Sequence, residues 1–153
     1  MESEVLSQPI SWLPEELYKQ DEKIKRTELN DVQLLGFYFA SLTSGQCTNF
    51  TPELINFYNK FNSENNKVFE VIFFSNDKDE NAFRQHYDKM PWLACPFKCF
   101  EQECIDEGCE INDLPTLIVF SKNGQLIDES GQITLTEKNE DDTFALWLSK
   151  YDH

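Results

Sequence analysis

The stretch that most constrains the fold is residues 34–58, which combine a buried strand, a short loop and an amphipathic helix. Residues 34–39 are an almost unbroken apolar run, the pattern expected of a strand covered on both faces. Further on, apolar residues recur at helical spacing and form one stripe: Phe50, Leu54, Phe57, Tyr58 and Phe61. Between strand and helix lies Ser44-Gly45-Gln46-Cys47, and a helix start favours a thiolate through its exposed N–H groups. Cys47 is therefore a candidate reactive cysteine.

The remaining elements are predicted from similar patterns. Residues 68–75 predict a second buried strand, so strand, helix and strand form a right-handed parallel crossover. Helices are predicted at residues 79–90 and 100–108, the second with Phe100, Cys104 and Ile105 facing inward. The other predictions are an apolar connector at 91–97, a strand at 116–120, a hairpin turn at 122–125 leading to a strand at 125–129, and a C-terminal helix capped by Asp141 or Asp142. The expected fold class is α/β, a central mixed sheet flanked by helices on both faces.

The chain is predicted to form one domain. Residues 1–20 are interpreted as a polar leader with a short helix after Pro14, where Pro-Glu-Glu-Leu suits a first helical turn. A short edge strand is predicted at residues 23–26. Residues 21–153 then form a single domain, since they contain no internal repeat and no low-complexity linker.

Charge and cysteine content narrow the function classes. The formal net charge of −15 argues against binding to nucleic acid or to anionic membrane surfaces. No apolar run approaches the length of a membrane span, and the N-terminus lacks the basic and apolar regions of a secretory signal. The expected location is cytoplasmic, where the five cysteines would be reduced. No cofactor is predicted.

Several motifs together resemble the tryparedoxin and nucleoredoxin branch of the thioredoxin-like proteins. They are FYFAS, FTPELINFY, DKMPWLACPF and LPTLIVF, and the resemblance spans roughly residues 12–135. In that family the loop after the first central strand reads Trp-Cys-Pro-Pro-Cys. Its first Cys is the attacking thiolate and its second the resolving thiol. The resemblance therefore implies a thioredoxin-like fold and a redox ancestry.

The redox motif itself is degenerate. When the chain is aligned on FTPEL, the family's Trp falls on Thr43 and its nucleophilic Cys on Ser44. Its two prolines fall on Gly45 and Gln46, and its resolving Cys on Cys47. SGQC thus stands where the family has CPPC, and one thiol remains of two.

Two predictions compete for the start of the helix that follows this loop. Local rules favour Thr51 as the N-cap, with Pro52 at the first helical position. The resemblance starts the helix near Ser44 and leaves Pro52 inside it. The second is preferred, because a start at Thr51 would leave Cys47 in a loop away from the helix dipole.

The two candidate catalytic positions have unequal chemistry. Ser44 occupies the position of the lost nucleophile, and a serine hydroxyl is a poor nucleophile without an adjacent base. It is interpreted as a helix cap or a surface hydroxyl. For Cys47 two interpretations stay open: an inert, half-buried thiol, or a monothiol that forms a mixed disulfide with a substrate.

The resemblance also implies a peptide-binding surface. Leu114-Pro115-Thr116 matches the loop in which the family's proline is cis and the backbone pairs with bound peptide, a short case of strand addition. Thr43 takes the place of the Trp that packs over this surface in relatives. The candidate peptide-binding residues are therefore Thr43, Leu114, Pro115 and Thr116.

The other four cysteines are Cys95, Cys99, Cys104 and Cys109. Their paired spacing superficially suits zinc. Because Cys104 is expected on the inward face of a helix, where a free cysteine acts as a small apolar residue, no metal site is predicted. A further alternative is a disulfide that joins Cys47 to Cys95 or Cys99.

Two functions follow. The first is a non-catalytic module that binds protein partners, as a binding or assembly subunit of a larger complex, and is not an enzyme. The alternative is a residual monothiol oxidoreductase of the protein-disulfide reductase type that uses Cys47, with glutathione or a distal cysteine as resolver. The substituted nucleophile and the lost Trp and prolines favour the first, whereas retention of Cys47 favours the second.

Overall fold

The structure is a computed structural model that describes residues 8–62, 68–121 and 123–151. The strands in these ranges are β1 (Glu16–Lys19), β2 (Glu22–Lys25), β3 (Leu34–Ala40), β4 (Phe69–Ser75), β5 (Leu93–Ala94), β6 (Thr116–Ser121) and β7 (Leu126–Asp128). The helices are α1 (Gln8–Trp12), α2 (Gly45–Phe61), α3 (Glu80–Tyr87), α4 (Phe100–Gly108), α5 (Gly131–Glu137) and α6 (Glu140–Tyr151). A 3₁₀ helix spans Arg26–Asp31.

The strands form one mixed sheet in the order β2-β1-β5-β4-β3-β6-β7. β3 pairs in parallel with β4, so that Phe37 lies opposite Ile72, and antiparallel with β6, where the same Phe37 faces Ile118. Every residue of β3 and of β4 is buried. The predicted strand-helix-strand crossover and the mixed α/β sheet are thereby confirmed.

Two apolar cores cover the two faces of the sheet, because successive strand residues point to opposite sides. The α2-side core contains Tyr38, Cys47, Phe57, Trp92 and Trp147. The α4-side core contains Phe37, Phe39, Phe74, Cys95 and Ile105. Each fully buried aromatic contributes on the order of 1.5–3 kcal/mol to the free energy of unfolding, so this sheet is a rigid platform for the loops at its edge.

The N-terminal segment differs from the prediction. The helix expected after Pro14 is wrong, because α1 ends at Trp12 and the following residues form β1, which pairs with β2 and β5. Leu17 is 1% exposed, and Gln20 has φ 57° in the turn to β2. Burial of Leu17 in the α4-side core outweighs the weak helical preference of Pro-Glu-Glu-Leu. The edge strand predicted at 23–26 is β2.

The inward face of α4 was also mispredicted. Phe100 is 74% exposed and Cys104 is exposed, whereas Ile105 and Gln102 are buried. The helix bounds are those predicted, but the stripe runs through residues 102 and 105, a spacing of three. Phe100 lies two residues before Gln102 and so projects roughly opposite to it.

The C-terminal helices bring two further differences. Helix α5 was not predicted, because Ile133, Thr134 and Thr136 are β-branched and because polar and apolar residues alternate along 132–136 as in a strand. Helix α6 was predicted, but its cap is Asn139, whose Oδ1 accepts from the N–H of Asp142 at 2.7 Å. No helix within the described ranges is both long and apolar enough to cross a bilayer.

Candidate functional site

The loop between β3 and α2 is built around the cap of α2. Ser44 is the N-cap, and its Oγ accepts from the N–H of Cys47 at 3.4 Å. Helix α2 begins at Gly45 and contains Pro52, as the resemblance predicted and the local rules did not. Cys47 thus lies in the first helical turn, with its N–H bonded to the cap.

Cys47 points into the core and not toward the loop surface. It is 0% exposed, in the α2-side core, and its Sγ accepts from the N–H of Ser41 at 3.4 Å. Beneath it, the hydroxyls of Tyr38 and Thr51 lie 2.7 Å apart, and Thr51 also donates to the carbonyl of Cys47 at 2.9 Å. The expectation of a half-buried thiol is therefore corrected to a fully buried one.

Hydrogen bonds within the loop join two of its hydroxyl groups and close the first turn of α2. Ser41 Oγ lies 3.0 Å from Thr43 Oγ1, and the Ser44 carbonyl accepts from the N–H of Thr48 at 3.1 Å. The sequence has two histidines; His86 bonds to Asp77, and His153 lies outside the described residues. Ser44 is accordingly a helix cap, one of the two roles expected for it.

The buried carboxylate of Asp77 holds the β3–α2 loop through a hydrogen bond. Asp77 Oδ1 accepts from the N–H of Leu42, while Oδ2 accepts from Ser75 Oγ at 2.6 Å and lies 3.1 Å from His86 Nδ1. Burial raises the pKa of Asp77, but the hydrogen bonds from His86, Ser75 and Leu42 outweigh burial and leave that pKa below its ordinary value. An ionised Asp77 therefore fixes the chain just before the SGQC segment.

The loop that precedes β6 carries the predicted cis bond. The peptide bond between Leu114 and Pro115 is cis, which confirms that prediction. Thr116 then begins β6 opposite Phe39 of β3. The cis-proline loop is thus held at the end of the two central strands.

A groove of about 690 Å³ lies between the start of α2, the cis-proline loop and α5. Its apolar lining consists of Phe50, Leu114, Pro115 and Ile133. Its acidic lining consists of Glu53, Asp113 and Glu137, and among the described residues that line it none is Lys or Arg. The groove is therefore apolar at some positions and negatively charged at others, a surface suited to an extended chain that carries both apolar and cationic side chains.

The groove includes some predicted residues and adds others. Leu114 and Pro115 line it, whereas Thr43 is exposed on the β3–α2 loop and Thr116 is half-buried at the start of β6, and neither lines it. The wall contributed by α5 was missed, because polar and apolar residues alternate along 132–136 as they do in a strand. Only Ser130, a residue type common at helix starts, signals a helix there.

The structure also separates the cysteines. Cys95 Sγ lies 3.0 Å from Cys99 Sγ in the α4-side core, while Cys47 belongs to the other core. The alternative of a disulfide from Cys47 to Cys95 or Cys99 is therefore wrong. Cys104 is exposed and Cys109 half-buried. Within the described part of the chain, no three His, Cys, Asp or Glu side chains are grouped to hold a metal ion.

Comparison with known proteins agrees with this geometry. Residues 31–126 match a family model described as thioredoxin-like. The chain is 39% identical over 99 residues to probable nucleoredoxin 1 of Arabidopsis thaliana, covering 63% of this chain and 17% of that protein. It is 34% identical over 104 residues to tryparedoxin of Trypanosoma brucei brucei, covering 65% and 69%. The crystal structure of native tryparedoxin I from Crithidia fasciculata matches with a TM-score of 0.78 at 32% identity, covering 88% of this chain and 94% of that one.

These matches establish the kind of protein at the level of the domain. The chain spans only 17% of the plant nucleoredoxin and 23% of the bovine one, but more than two thirds of the trypanosome tryparedoxin. It is a thioredoxin-fold protein of the nucleoredoxin and tryparedoxin type, and members of this redox family are thiol–disulfide oxidoreductases. The chain belongs to the thioredoxin-like family.

Proposed function

We propose that this protein is a non-catalytic binding module, in which the groove beside the cis-proline loop binds an extended, basic segment of a protein partner within a larger assembly. The proposal rests on a difference in exposure between two neighbouring features. The groove beside the SGQC loop is open, whereas Cys47, the one thiol left of the redox motif, is 0% exposed. The cytoplasmic location expected from the sequence remains a prediction.

The chemistry of thiol–disulfide exchange supports the non-catalytic part of the proposal. Exchange needs a thiolate that can reach a substrate sulfur, and then a second thiol to release the mixed disulfide. Ser44 stands at the attacking position and is engaged as a helix cap. The alternative, a monothiol oxidoreductase that uses Cys47, requires this side chain to leave the core and abandon its bond from Ser41. Its burial disfavours that alternative.

The lining of the groove supports a particular kind of partner. An extended segment presents side chains alternately, so apolar ones can reach Phe50 and Ile133 while Lys or Arg lies near Glu53 or Glu137. The net charge of −15 adds a longer-range attraction for a basic chain. Salt screens this attraction over about 8 Å at physiological ionic strength, so binding should weaken as salt rises.

Selection of binders from a phage library of random twelve-residue peptides tests the proposal. We expect enrichment of peptides in which apolar residues alternate with Lys or Arg. Against one selected peptide, Glu137→Lys and Glu53→Lys should each weaken binding roughly threefold to tenfold at about 50 mM salt. The matched control is Glu103→Lys on α4, an exposed acid outside the groove. Failure to enrich any peptide, enrichment of acidic ones, or an equal effect of the control would contradict the proposal.

A further inference from the structure

Two cysteines lie close together on the face of the sheet away from Cys47. Cys95 follows β5, is 0% exposed, and its N–H donates to the Phe73 carbonyl at 3.0 Å as in a continued strand. Cys99 is the N-cap of α4 and is half-buried, and its Sγ accepts from the N–H of Gln102 at 3.4 Å. The two sulfurs lie 3.0 Å apart. One thiol is therefore held by the sheet and the other by a helix start.

The intervening turn brings the sulfurs together. The N–H of Cys99 donates to the Pro96 carbonyl at 3.3 Å, which closes a four-residue turn. Lys98, at the third position of that turn, has φ 55°, a left-handed conformation that costs a residue with a side chain of order 1 kcal/mol. The cores on either side and the start of α4 hold the turn in this form. The proximity is thus built into the fold and does not depend on a flexible loop.

The separation is short enough for a bond to form with little movement. A disulfide has a sulfur–sulfur distance of about 2.05 Å, so the two Sγ atoms must approach by about 1 Å. Rotation of the half-buried Cys99 side chain can supply this displacement while Cys95 stays in the sheet. The difference in exposure also separates the roles, since a disulfide in solution can reach Cys99 before Cys95.

The electrostatics of the pair agree with these roles. The thiol of Cys95 donates to the Cys99 sulfur and, with the N–H of Gln102, lowers the pKa of Cys99 to about 7, against the opposing effects of burial and Glu101. The same hydrogen bond, burial and the nearby charges of Cys99, Glu101 and Asp106 raise the pKa of Cys95. Near pH 7 about half of Cys99 is therefore present as the thiolate, while Cys95 keeps its proton.

We propose that Cys95 and Cys99 form a second redox site, a dithiol that reduces small disulfides of the glutathione class and closes to an intramolecular disulfide. The Cys99 thiolate attacks one sulfur of glutathione disulfide, forms a mixed disulfide and releases one glutathione thiolate. Cys95 then loses its proton and attacks Cys99 Sγ, which expels the second glutathione. The protein pair loses two electrons and two protons, and glutathione disulfide gains them as two glutathione thiols. This site is separate from both the SGQC loop and the groove, and closure of the dithiol is one stoichiometric reaction rather than catalytic turnover. The non-catalytic role proposed for the SGQC loop is therefore unaffected, and either proposal can fail without the other.

Tryptic mapping tests the proposal directly, because trypsin cleaves after Lys98, between the two cysteines. The reduced full-length protein is incubated under native conditions with glutathione disulfide, then denatured, alkylated with N-ethylmaleimide at mildly acidic pH, and digested. We expect peptides 90–98 and 99–122 to be recovered joined, at a mass two hydrogens below the sum of the two peptides, with Cys104 and Cys109 each carrying one alkyl group. Recovery of the two peptides separately, with all cysteines alkylated, would overturn the proposal.

Peptide 99–122 also contains Cys104 and Cys109, so single-cysteine variants are needed to identify which cysteine is bonded to Cys95. The joined species should persist in Cys104→Ser and Cys109→Ser and fall at least tenfold in Cys99→Ser. Cys95→Ser, which cannot resolve the intermediate, should instead accumulate a glutathione adduct on Cys99. Persistence of the link in Cys99→Ser, or absence of any adduct on Cys99 in folded Cys95→Ser, would contradict the assigned roles. The result on the unsubstituted chain stands even if a core variant does not fold.

Discussion

The N–H of Ser41 donates to the Sγ of Cys47 at 3.4 Å, so the residue that follows the central strand binds the thiol of the SGQC segment. This contact turns Cys47 away from the groove and into the α2-side core. Cys47 therefore links the residue after β3 to the first turn of α2. The groove next to this loop is lined by residues of α2, the cis-proline loop and α5, and Cys47 is not among them.

Removal of the Cys47 sulfur should destabilise the fold. Cys47→Ala leaves the Ser41 N–H without its acceptor and a small void in the core, and each effect costs on the order of 1 kcal/mol or more. We expect the free energy of unfolding in urea to fall by about 1–3 kcal/mol. The control, Cys104→Ala at an exposed position, should change it by no more than about 0.5 kcal/mol. Equal stability of the two variants would rule out a structural role for Cys47.

Asp77 should stabilise the protein in a pH-dependent way. Its pKa is lowered in the fold, so its contribution is complete above the ordinary aspartate value of 3.8 and is lost as pH falls through the lowered pKa. Asp77→Asn should therefore lower the free energy of unfolding by about 1.5–3 kcal/mol at pH 7, with the difference from the unsubstituted protein shrinking below pH 3.8. Urea midpoints across this range, with the exposed Asp88→Asn as control, measure the effect. A difference that persists unchanged in acid would contradict the account.

Asp128 should support the groove wall through α5. Its Oδ2 accepts from Thr134 Oγ1 at 2.6 Å and from Trp147 Nε1 at 3.0 Å, and its Oδ1 from the N–H of Ser130 at 2.9 Å. Asp128→Ala leaves these donors unpaired and should cost about 2–4 kcal/mol. We expect faster amide hydrogen exchange in α5 and weaker binding of the selected peptide. Glu129→Ala, at the exposed neighbouring position, should leave both measurements unchanged, and α5 protection that is the same in the two variants would refute this support.

Cys99 should react as a thiolate near neutral pH. Its pKa of about 7 predicts half-maximal iodoacetamide labelling near pH 7, measured in a Cys104→Ser/Cys109→Ser background. Relative to a thiol of ordinary pKa, its rate at pH 7 should be about fivefold higher once the lower nucleophilicity of an acidic thiolate is included. Cys95→Ala removes the hydrogen-bond donor to Cys99 and should move the midpoint of Cys99 labelling to higher pH. Cys95→Ser keeps a hydroxyl donor and should move that midpoint less. A profile that rises only near pH 9 in all three proteins would contradict the pairing.

The parts of the fold that the sequence predicted well are those in which local pattern and packing agree. The apolar run of β3 and the stripe of α2 each indicate one burial pattern. The motif resemblance placed the helix start near Ser44, where the structure has the N-cap, whereas local rules alone preferred Thr51 as the cap. The predicted and observed elements differ where tertiary contacts outweigh weak local preferences. β1 forms because Leu17 is buried in the α4-side core. α5 forms despite its β-branched residues because Asp128 and the neighbouring strand hold it.

The site was predictable only in part for a related reason. Leu114 and Pro115 followed from the motif, since their loop is a short local structure. The acidic groove wall on α5 and the pairing of Cys95 with Cys99 depend on how distant segments and a left-handed Lys98 meet in space, and spacing alone left several pairings open. The burial of Cys47 likewise depends on which way the first turn of α2 faces the sheet.

The most direct test of the central claim is whether glutathione disulfide modifies Cys47 in the folded protein. Tryptic peptide 27–60 contains Cys47 as its single cysteine, so a glutathione adduct there is unambiguous by mass. We expect no adduct on this peptide under native conditions and full modification once urea unfolds the chain, while Cys104 is modified in both states. Rapid formation of an adduct on Cys47 in the native protein, at a rate comparable to Cys104, would contradict the non-catalytic account and favour the monothiol oxidoreductase.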